Sequence, residues 1–362
     1  MRSSGQGRTK AAAAGLACAW LLLSAFALND PARLDYEALR IEGDLSPGRA
    51  EAAPAPAPDP ADGTPRTSSA RYRLVVDASV LADSNVTNST DDRTIPIFYG
   101  AEPLPVALDP QLRAHGGIGR GLAASGEIEL PIGSGAGLLL NAEGYLLDYD
   151  GSATDDVSLL IAAGPSFKWG GGEATVQLIG FDRWYGGISA TAGLGVRGRY
   201  RGELSSTDHL SLSLEARRFS SDYGGDFGGT HAGAYLTYET VLDPVTSGSL
   251  GLFARRDWLG EEAYSYTELG AYGGLGRHLG PGLTGSISAG LSRARFDEPV
   301  LLLSPSPRED WRFYASASLA ARRPLALGLY PSLSYSYGRT WSSIGYFDAR
   351  RHRVRLGLQR SF

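Results

Sequence analysis

Cysteine, methionine and lysine are almost absent from this sequence of 362 residues. Cys18 is the one cysteine and lies close to the N-terminus, so the rest of the chain can form no disulfide, cysteine metal site or cysteine nucleophile. Lysine occurs only at Lys10 and Lys168, so arginine supplies nearly all of the positive charge. Beyond residue 27 there is no run of about 20 apolar residues, which excludes a helical membrane protein.

The first 27 residues have the pattern of a secretory signal peptide. Arg2, Arg8 and Lys10 precede an apolar run from 11 to 27 that ends on Ala-Phe-Ala, a small-residue cleavage pattern. The run is too short for a stable membrane span. Cleavage after Ala27 would remove these three positive charges and make the net charge more negative than its present −5.

Residues 28 to 70 are rich in proline, alanine and acidic side chains, with the stretch Ala-Pro-Ala-Pro-Ala-Pro-Asp-Pro at 53 to 60. Such a composition cannot bury enough apolar surface to fold alone, so we expect a disordered periplasmic linker. Residues 34 to 43 could instead form a short docking helix, because they include a small apolar face.

From residue 71 to 362 the apolar residues recur at every second position. Leu212 and Leu214, for example, alternate with Ser211 and Ser213. About 14 such segments follow one another, each of roughly ten to fourteen residues, which is the length a tilted strand needs to cross a membrane. Strands of soluble sandwiches usually run only about five or six residues. The pattern predicts an all-β fold, a transmembrane antiparallel β-barrel of about 14 strands.

Connections and tryptophans fit an outer-membrane barrel surrounded by lipid. With the N-terminus periplasmic, the periplasmic connections are short, and the external ones include two long loops, at 83 to 116 and 297 to 310. The apolar stretch from 299 to 307 could fold inward as a plug or contact a partner. The five tryptophans beyond residue 27 lie near strand ends, where an interfacial aromatic girdle would place them; they are Trp169, Trp184, Trp258, Trp311 and Trp341.

The last strand is apolar on one face and basic on the other. Val354, Leu356, Leu358 and Phe362 share one phase, which we expect to face lipid once this strand pairs with the first and closes the barrel. A terminal aromatic after outward apolar residues is what the outer-membrane assembly machinery reads. Leu356, Leu358 and Phe362 are therefore the predicted barrel-assembly signal.

The opposite face of that strand carries Arg351, Arg353 and Arg355, which are predicted to line the lumen. An arginine facing lipid costs about 2–4 kcal/mol at the bilayer midplane, so the lumen is the favourable side. These arginines either form ion pairs that stiffen the barrel or take part in substrate passage. The arginines expected to join them are Arg218, Arg255 and Arg312, and the candidate carboxylates are Glu215, Glu268 and Asp182.

Nothing in the sequence indicates catalysis, a cofactor, a metal or a nucleic-acid partner. The five histidines are scattered singly, and the glycine-rich stretches lack phosphate-loop spacing. Three acidic stretches lack the ligand spacing of a calcium loop and are interpreted as solvated surface acid; they lie around Asp83, Asp156 and Asp222. We therefore expect a protein that is not an enzyme.

Two stretches resemble the translocator barrel of the surface lipoprotein assembly modifier family. The first is the Asp-Ser-Asn element at Asp83, Ser84 and Asn85, and the second spans 334 to 362. The matching residues of the second stretch are Arg339, Ser342, Ser343, Tyr346, Asp348, Arg351, Val354, Gly357 and Leu358. The similarity covers roughly residues 71 to 362. Typical members carry a helical-repeat domain before the barrel, where this chain has the proline- and alanine-rich segment.

The resemblance implies an outer-membrane translocator that moves a lipoprotein or a small secreted protein to the cell surface, through or along the barrel. It also implies a periplasmic chaperone as an additional partner. The residue pattern alone leaves two other functions open, a porin-like passive channel for small solutes and a structural or adhesive surface barrel.

Overall fold

The computed structural model describes residues 70–98, 102–133, 135–150, 154–280 and 282–362. The predicted signal peptide and all but the last residue of the predicted linker lie outside the described residues. In the part of the chain that is described, no helix is long and apolar enough to span a membrane.

Within these residues, fourteen long strands form a closed antiparallel barrel, and two short strands form a separate hairpin. This confirms the predicted all-β barrel of about 14 strands. The strands are β1 (Arg71–Asp83), β2 (Thr94–Phe98), β3 (Pro103–Ala107), β4 (Gly117–Gly133), β5 (Ala136–Tyr149), β6 (Asp156–Trp169), β7 (Gly172–Tyr185), β8 (Ile188–Glu203), β9 (Asp208–Ser220), β10 (Gly229–Asp243), β11 (Thr246–Leu259), β12 (Tyr266–His278), β13 (Leu283–Phe296), β14 (Glu309–Ala321), β15 (Tyr330–Ser342) and β16 (Ala349–Ser361). Short 3-10 segments lie at Pro110–Leu112, Gly225–Phe227, Glu262–Tyr264, Ala326–Gly328 and Gly345–Phe347.

The barrel closes where β1 pairs with β16, and we call this contact the seam. The ladder there runs in register from Val75 opposite Ser361 to Asp83 opposite Arg353. Phe362 extends it, since its amide donates to the carbonyl of Leu74 at 2.9 Å. Closure leaves no barrel strand with an unpaired edge. The β2–β3 hairpin, which the sequence analysis did not predict, lies in the connection between β1 and β4.

The two faces of the wall have opposite chemistry. Leu356 points outward and is 62% exposed, whereas Arg351 on the same strand points inward and is 4% exposed. The same alternation places Leu212 and Leu214 outside and Ser213 inside. Exposed apolar side chains around a charged and polar interior are the reverse of a water-soluble protein, and they fit a barrel whose outer face meets lipid.

The two ends of the barrel differ in the length of their connections. The short connections share one end, which we call the turn end, at 134–135, 170–171, 204–207, 244–245, 279–282 and 322–329. Gly170 and Gly171 form a two-residue hairpin turn there with φ of +56° and +80°, a conformation that glycine adopts without strain. The opposite end is the loop end, with connections at 84–116, 150–155, 186–187, 221–228, 260–265, 297–308 and 343–348.

Candidate functional site

Inward-facing charged side chains form a belt of four clusters around the lumen near the loop end. Each is at most 8% exposed, which is unusual for ionised groups and requires that they be paired. We call this set the charged belt; its members are Asp83, Asp156, Arg183, Arg197, Glu215, Arg217, His231, Arg255, Asp257, Glu268, Asp310, Arg312 and Arg351.

At the seam, the belt joins the first strand to the last. Arg351 donates from Nη2 to Oδ2 of Asp83 at 2.6 Å and from Nε to Oδ1 at 3.1 Å. Tyr149 of β5 donates its hydroxyl to Oδ2 of Asp83 at 2.8 Å, and Nε of Arg353 lies 3.6 Å from the same oxygen. This carboxylate therefore links three strands from inside the barrel.

A second cluster connects β5, β6 and β7. Arg183 makes a two-pronged ion pair with Asp156, with Nε 2.8 Å from Oδ1 and Nη2 2.6 Å from Oδ2. Tyr145 donates its hydroxyl to the same carboxylate at 2.9 Å. The parallel geometry of the two contacts suits the planar guanidinium and fixes its orientation in the wall.

A third cluster is centred on His231 of β10. Its Nδ1 lies 2.7 Å from Oδ1 of Asp257, and its Nε2 lies 3.3 Å from Oε1 of Glu215. Glu215 also accepts from Nη2 of Arg217 at 2.7 Å and from Arg197 at 3.4 Å. The imidazole thus bridges two carboxylates on the neighbouring strands β9 and β11.

A fourth cluster is centred on Glu268 of β12, which is fully buried. Arg255 donates to its Oε2 from Nε at 2.9 Å, and Arg312 donates to the same oxygen from Nη1 at 2.9 Å. Nη2 of Arg312 also donates to Asp310 at 3.1 Å, and Asp310 in turn accepts from Nη2 of Arg308 at 2.7 Å. The chain of contacts runs from β11 through β14 into the loop at 297–308.

Most of the arginines predicted to line the lumen lie in this region, and one prediction is wrong. Arg255, Arg312, Arg351 and Arg353 reach belt carboxylates as described, and Arg355 pairs with Asp77 nearer the turn end. Arg218 instead lies on the outer face and is exposed, because it shares the phase of Leu212 and Leu214.

The interpretation of the acidic stretches as solvated surface acid is wrong for two residues. Asp83 is the last residue of β1 and Asp156 the first of β6, and both face inward, at 5% and 2% exposure. Their arginine partners compensate for the loss of water. Asp182, a candidate partner for the arginines, accepts a hydrogen bond from the hydroxyl of Ser189 at 3.1 Å.

Above the charged belt, an apolar cluster joins four connections of the loop end, and we call it the loop cap. Its members are Ile95, Ile97, Leu108, Ala263, Val300, Leu303, Ile344, Tyr346 and Phe347. The amide of Phe98 donates to the carbonyl of Leu302 at 2.9 Å, which attaches the β2–β3 hairpin to the loop at 297–308. The stretch from 299 to 307 thus packs inward against other loops, while Leu301 stays 71% exposed.

Arg308 connects the loop cap to the charged belt. Its guanidinium carbon lies 3.7 Å from the centre of the Phe347 ring and 4.1 Å from that of Phe296. It also pairs with Asp310, and the arginine is only 3% exposed. A cation stacked between two aromatic rings and paired with a carboxylate is strongly held.

The Asp-Ser-Asn element ties the start of the first loop to β16. Asn85 is 1% exposed and donates from Nδ2 to the carbonyls of Ser89 at 2.8 Å and Arg350 at 3.0 Å. Ser84 accepts from the amide of His352 at 2.8 Å, and Asp83 binds Arg351. The two stretches on which the family resemblance depends therefore meet at the seam.

Five other residues of the resemblance lie in four separate places. Arg339 and Asp348 form an ion pair of 2.6 Å on the outer side, where burial raises the pKa of Asp348 above its ordinary value despite the nearby arginine. Ser343 exchanges two hydrogen bonds of 2.9 Å with the backbone of Glu309, and Tyr346 belongs to the loop cap. Gly357 lies farther down the lumen, where a Cβ would come within 2.7 Å of the Ser332 hydroxyl.

The residues of the predicted barrel-assembly signal lie at the turn end. Leu356, Leu358 and Phe362 point outward and are 62%, 42% and 55% exposed. Arg360, which shares their phase, places its guanidinium carbon 4.5 Å from the centre of the Phe362 ring. Their role as an assembly signal stays a prediction.

Sequence reasoning missed the clusters around His231 and Asp156 and the position of Arg308. One signal was available, since His231, Asp257 and Glu215 each occupy the inward phase of their strands. Their partnership depends on register, because His231 lies opposite both Arg217 and Asp257 in the ladders. Among the described residues, no group of three or more histidine or acidic side chains could hold a metal ion.

Several solved structures are similar to this chain over most of its length. Similar solved structures include the outer membrane channel DcaP of Acinetobacter baumannii, at TM-score 0.47 and 9% identity over 81% of this chain and 97% of that chain. Another is OpdQ of Pseudomonas aeruginosa, at TM-score 0.40 and 9% identity over 81% and 98% of the two chains. A search of the curated proteins found no significant match.

The family model of the surface lipoprotein assembly modifiers matches residues 72–362, from the second residue of β1 to the terminal phenylalanine. The match includes the seam, the charged belt and the loop cap, and it places the barrel in the outer membrane of a Gram-negative cell. This chain therefore belongs to the surface lipoprotein assembly modifier family.

Proposed function

We propose that this barrel moves a lipoprotein or a small secreted protein to the cell surface, through or along its wall. The observation that carries the proposal is the family match over every strand of the barrel. The outer-membrane assembly machinery would insert the barrel, and a periplasmic chaperone would deliver the cargo to the turn end. Membership of the family and the topology of the barrel support these proposed partners.

The charged belt supports a passive role for the wall. Its arginines and carboxylates are already paired with one another, so the belt provides a rigid polar surface along which an unfolded segment can slide. Breaking such a buried pair from one side costs about 3–5 kcal/mol, so the belt resists deformation during passage. The driving force would then come from folding of the cargo outside or from a partner.

The loop cap supports a gated exit. Four connections from separate parts of the chain pack together at the loop end, and Arg308 holds them to the belt. A polypeptide that left through the lumen would have to displace this apolar cluster. A cargo that moved along the seam would instead have to separate β1 from β16, including the Asp83–Arg351 pair.

The inward serines favour a second candidate, a passive channel for small solutes. Ser286 lies 2.7 Å from Ser318, and Ser288 lies 2.7 Å from Ser316, so the lumen below the belt presents small hydroxyl groups. Small polar side chains leave room for water and solutes. A capped barrel should conduct little, whereas an open channel would give large, steady currents in a planar bilayer.

Surface display of a lipoprotein tests the proposal. A tagged lipoprotein encoded beside this gene would be expressed with the wild-type barrel, with an empty vector, and with a barrel of unrelated family. Antibody labelling of intact cells should report the tag only with the wild-type barrel, at equal total lipoprotein. Equal labelling in all three strains would contradict the proposed translocation.

A further inference from the structure

Charged side chains are unevenly distributed over the outer face of β11 to β15. Near the loop end, Arg256 lies opposite Thr267, Thr267 opposite Arg295, and Arg295 opposite Glu309, in one row across four strands. Arg293 and Arg339 lie one or two rows closer to the middle. The structure describes every residue of these five strands, and among their outward positions Arg277 is the one charged residue near the turn end.

The outward direction of this row follows from strand phase. Arg293 and Arg295 continue the positions of Ile287 and Leu291, which are 57% and 45% exposed on the face that meets lipid. An arginine in that phase is unfavourable at the bilayer midplane but tolerated near the interface. The row therefore lies at headgroup level in the leaflet next to the loop end.

Tryptophans support the arginine side chains at this level. The guanidinium carbons lie over outward rings, Arg256 over Trp258 at 5.4 Å, Arg293 over Trp311 at 5.4 Å and Arg339 over Trp341 at 5.8 Å. Trp311 and Trp341 are themselves opposite each other in the ladder. Interfacial tryptophan with stacked arginine gives a rigid cationic surface rather than mobile side chains.

The four outward arginines near the loop end are not matched by an equal number of paired carboxylates. Arg256 pairs with Asp297, Arg293 with Glu309 and Arg339 with Asp348. Arg295 is exposed and has no ion pair or hydrogen bond with any described side chain. Four arginines thus share three carboxylates, and each paired guanidinium keeps donors that its carboxylate does not use.

We propose that these four outward arginines, at 256, 293, 295 and 339, bind the phosphate group of a lipid in the leaflet next to the loop end. A guanidinium donates two parallel hydrogen bonds to phosphate, and the low polarity at the interface strengthens that contact. Arg295 is the principal contact, because it is the one of the four without an ion pair in the described part of the chain. Its neighbours Arg256 and Arg293 supply further donors, and Trp311 packs against the lipid body.

Native mass spectrometry of the folded, full-length barrel in detergent tests this site. The probes are diphosphorylated lipid A, its dephosphorylated form, and inorganic phosphate alone. The phosphorylated lipid should remain bound to the wild type, and Arg295→Gln should weaken it by roughly tenfold, as expected for one charge-assisted contact. The matched control is Arg277→Gln, which removes an outward arginine at the opposite end and should bind like the wild type.

Three results would overturn the site: equal binding of the two lipids, equal loss in both variants, or inorganic phosphate that binds as tightly as the phosphorylated lipid. Heat-modifiable migration on gels verifies folding of each variant. If Arg295→Gln does not fold, Arg295→Lys replaces it, since lysine keeps the charge but loses the two parallel hydrogen bonds. The comparison of the two lipids on the wild type then still decides whether the barrel recognises the phosphate group. None of these results depends on cargo export, so the test is separate from that of the proposed translocation.

Discussion

Arg351 and Asp83 are 268 positions apart in the chain, yet Nη2 of the arginine lies 2.6 Å from Oδ2 of the aspartate across the seam. The contact is buried, since the side chains are 5% and 0% exposed. It joins the last strand to the first at the loop end, where the ladder between β1 and β16 stops. We infer that this pair holds the upper part of the seam closed.

Replacing Asp83 by Ala should destabilise the barrel by about 3–5 kcal/mol, because Arg351 would keep its charge inside the wall without its principal partner. The double variant Asp83→Leu with Arg351→Met should recover part of that loss, because the Arg351 charge is removed with its partner, although Arg353 still loses its nearby carboxylate. Urea unfolding of the refolded barrel, followed by heat-modifiable migration, measures both effects.

The matched control is Arg350→Gln, one position away from Arg351. Arg350 pairs with Asp91 on the surface, where the side chains are 56% and 58% exposed. A pair in water contributes at most about 1 kcal/mol, so this variant should unfold close to the wild type. A loss as large as that of Asp83→Ala would indicate that burial is not what makes the seam pair important.

Asp348→Asn should not weaken the loop end at neutral pH, although it removes an ion pair with Arg339. Burial raises the pKa of Asp348 above 3.8, so the folded protein favours the neutral carboxyl. The charged carboxylate therefore costs stability above the folded pKa, and the amide avoids that cost. The variant should be equal to or more stable than the wild type at pH 7, and the difference should vanish as pH falls below 3.8.

Hydrogen exchange of the loop at 343–348 between pH 7 and pH 3 measures this difference locally. Arg339→Gln is the informative comparison, because it removes the favourable partner of Asp348 and leaves the Asp348 carboxylate buried. It should raise exchange at pH 7 and have less effect when the carboxyl is neutral. Faster exchange in Asp348→Asn than in the wild type at pH 7 would mean that the arginine contact outweighs burial.

The strands were predictable from sequence because each has one face toward lipid and one toward the lumen. Neighbouring residues such as Leu212 and Ser213 therefore differ in polarity, whatever strand they pair with. The phase of a residue also predicts its side of the wall, as it does for Arg351 and Arg353. The prediction for Arg218 went against its phase, which it shares with Leu212 and Leu214, and near the membrane interface charged residues are tolerated outside. The expectation that arginines line the lumen was based on the free-energy cost of an arginine facing lipid at the bilayer midplane, where that cost is largest.

The partners inside the lumen could not be predicted from a single sequence. Asp83 and Asp156 are terminal residues of their strands, and a boundary shift of one residue decides between solvent and the charged belt. The loop cap depends on four connections that meet only after closure, so Ile95 and Val300 carry no local signal of their contact. Long-range register therefore sets the site, while local periodicity sets the fold.

Phe347→Ala should loosen the loop cap and raise the conductance of the barrel in a planar bilayer. The ring is 1% exposed and stacks on Arg308, so its loss leaves a cavity and removes the contact between cap and belt. Truncation of a buried phenylalanine costs about 3–5 kcal/mol, enough to open a loop cluster while the strands stay paired. Limited proteolysis of the loop at 297–308 should become faster.

Leu301→Asp in the same loop is the control for the loop cap. Leu301 is 71% exposed, so a charge there should change neither conductance nor proteolysis. If Phe347→Ala left the conductance at the wild-type level while proteolysis increased, the cap would not be what restricts the lumen. Equal proteolysis in both variants would argue against the apolar cluster as the element that holds the loops.

A disulfide across the seam distinguishes passage through the lumen from passage along the wall. Ala82 and Val354 are direct partners in the β1–β16 ladder and both point outward. Ala289 and Ala315 are the equivalent partners between β13 and β14, away from the seam. Cysteine pairs at these two places should form without competition, because Cys18 lies in the predicted signal peptide and is the one native cysteine.

If cargo moves along the seam, Ala82→Cys with Val354→Cys should abolish surface labelling of the lipoprotein under oxidising conditions, and reduction should restore it. The pair Ala289→Cys with Ala315→Cys should export normally in both conditions, because the body of the wall stays intact. Normal export with a fully oxidised seam would eliminate lateral passage. The cargo would then have to cross the charged belt and displace the loop cap, and Phe347→Ala in the oxidised barrel should increase export further.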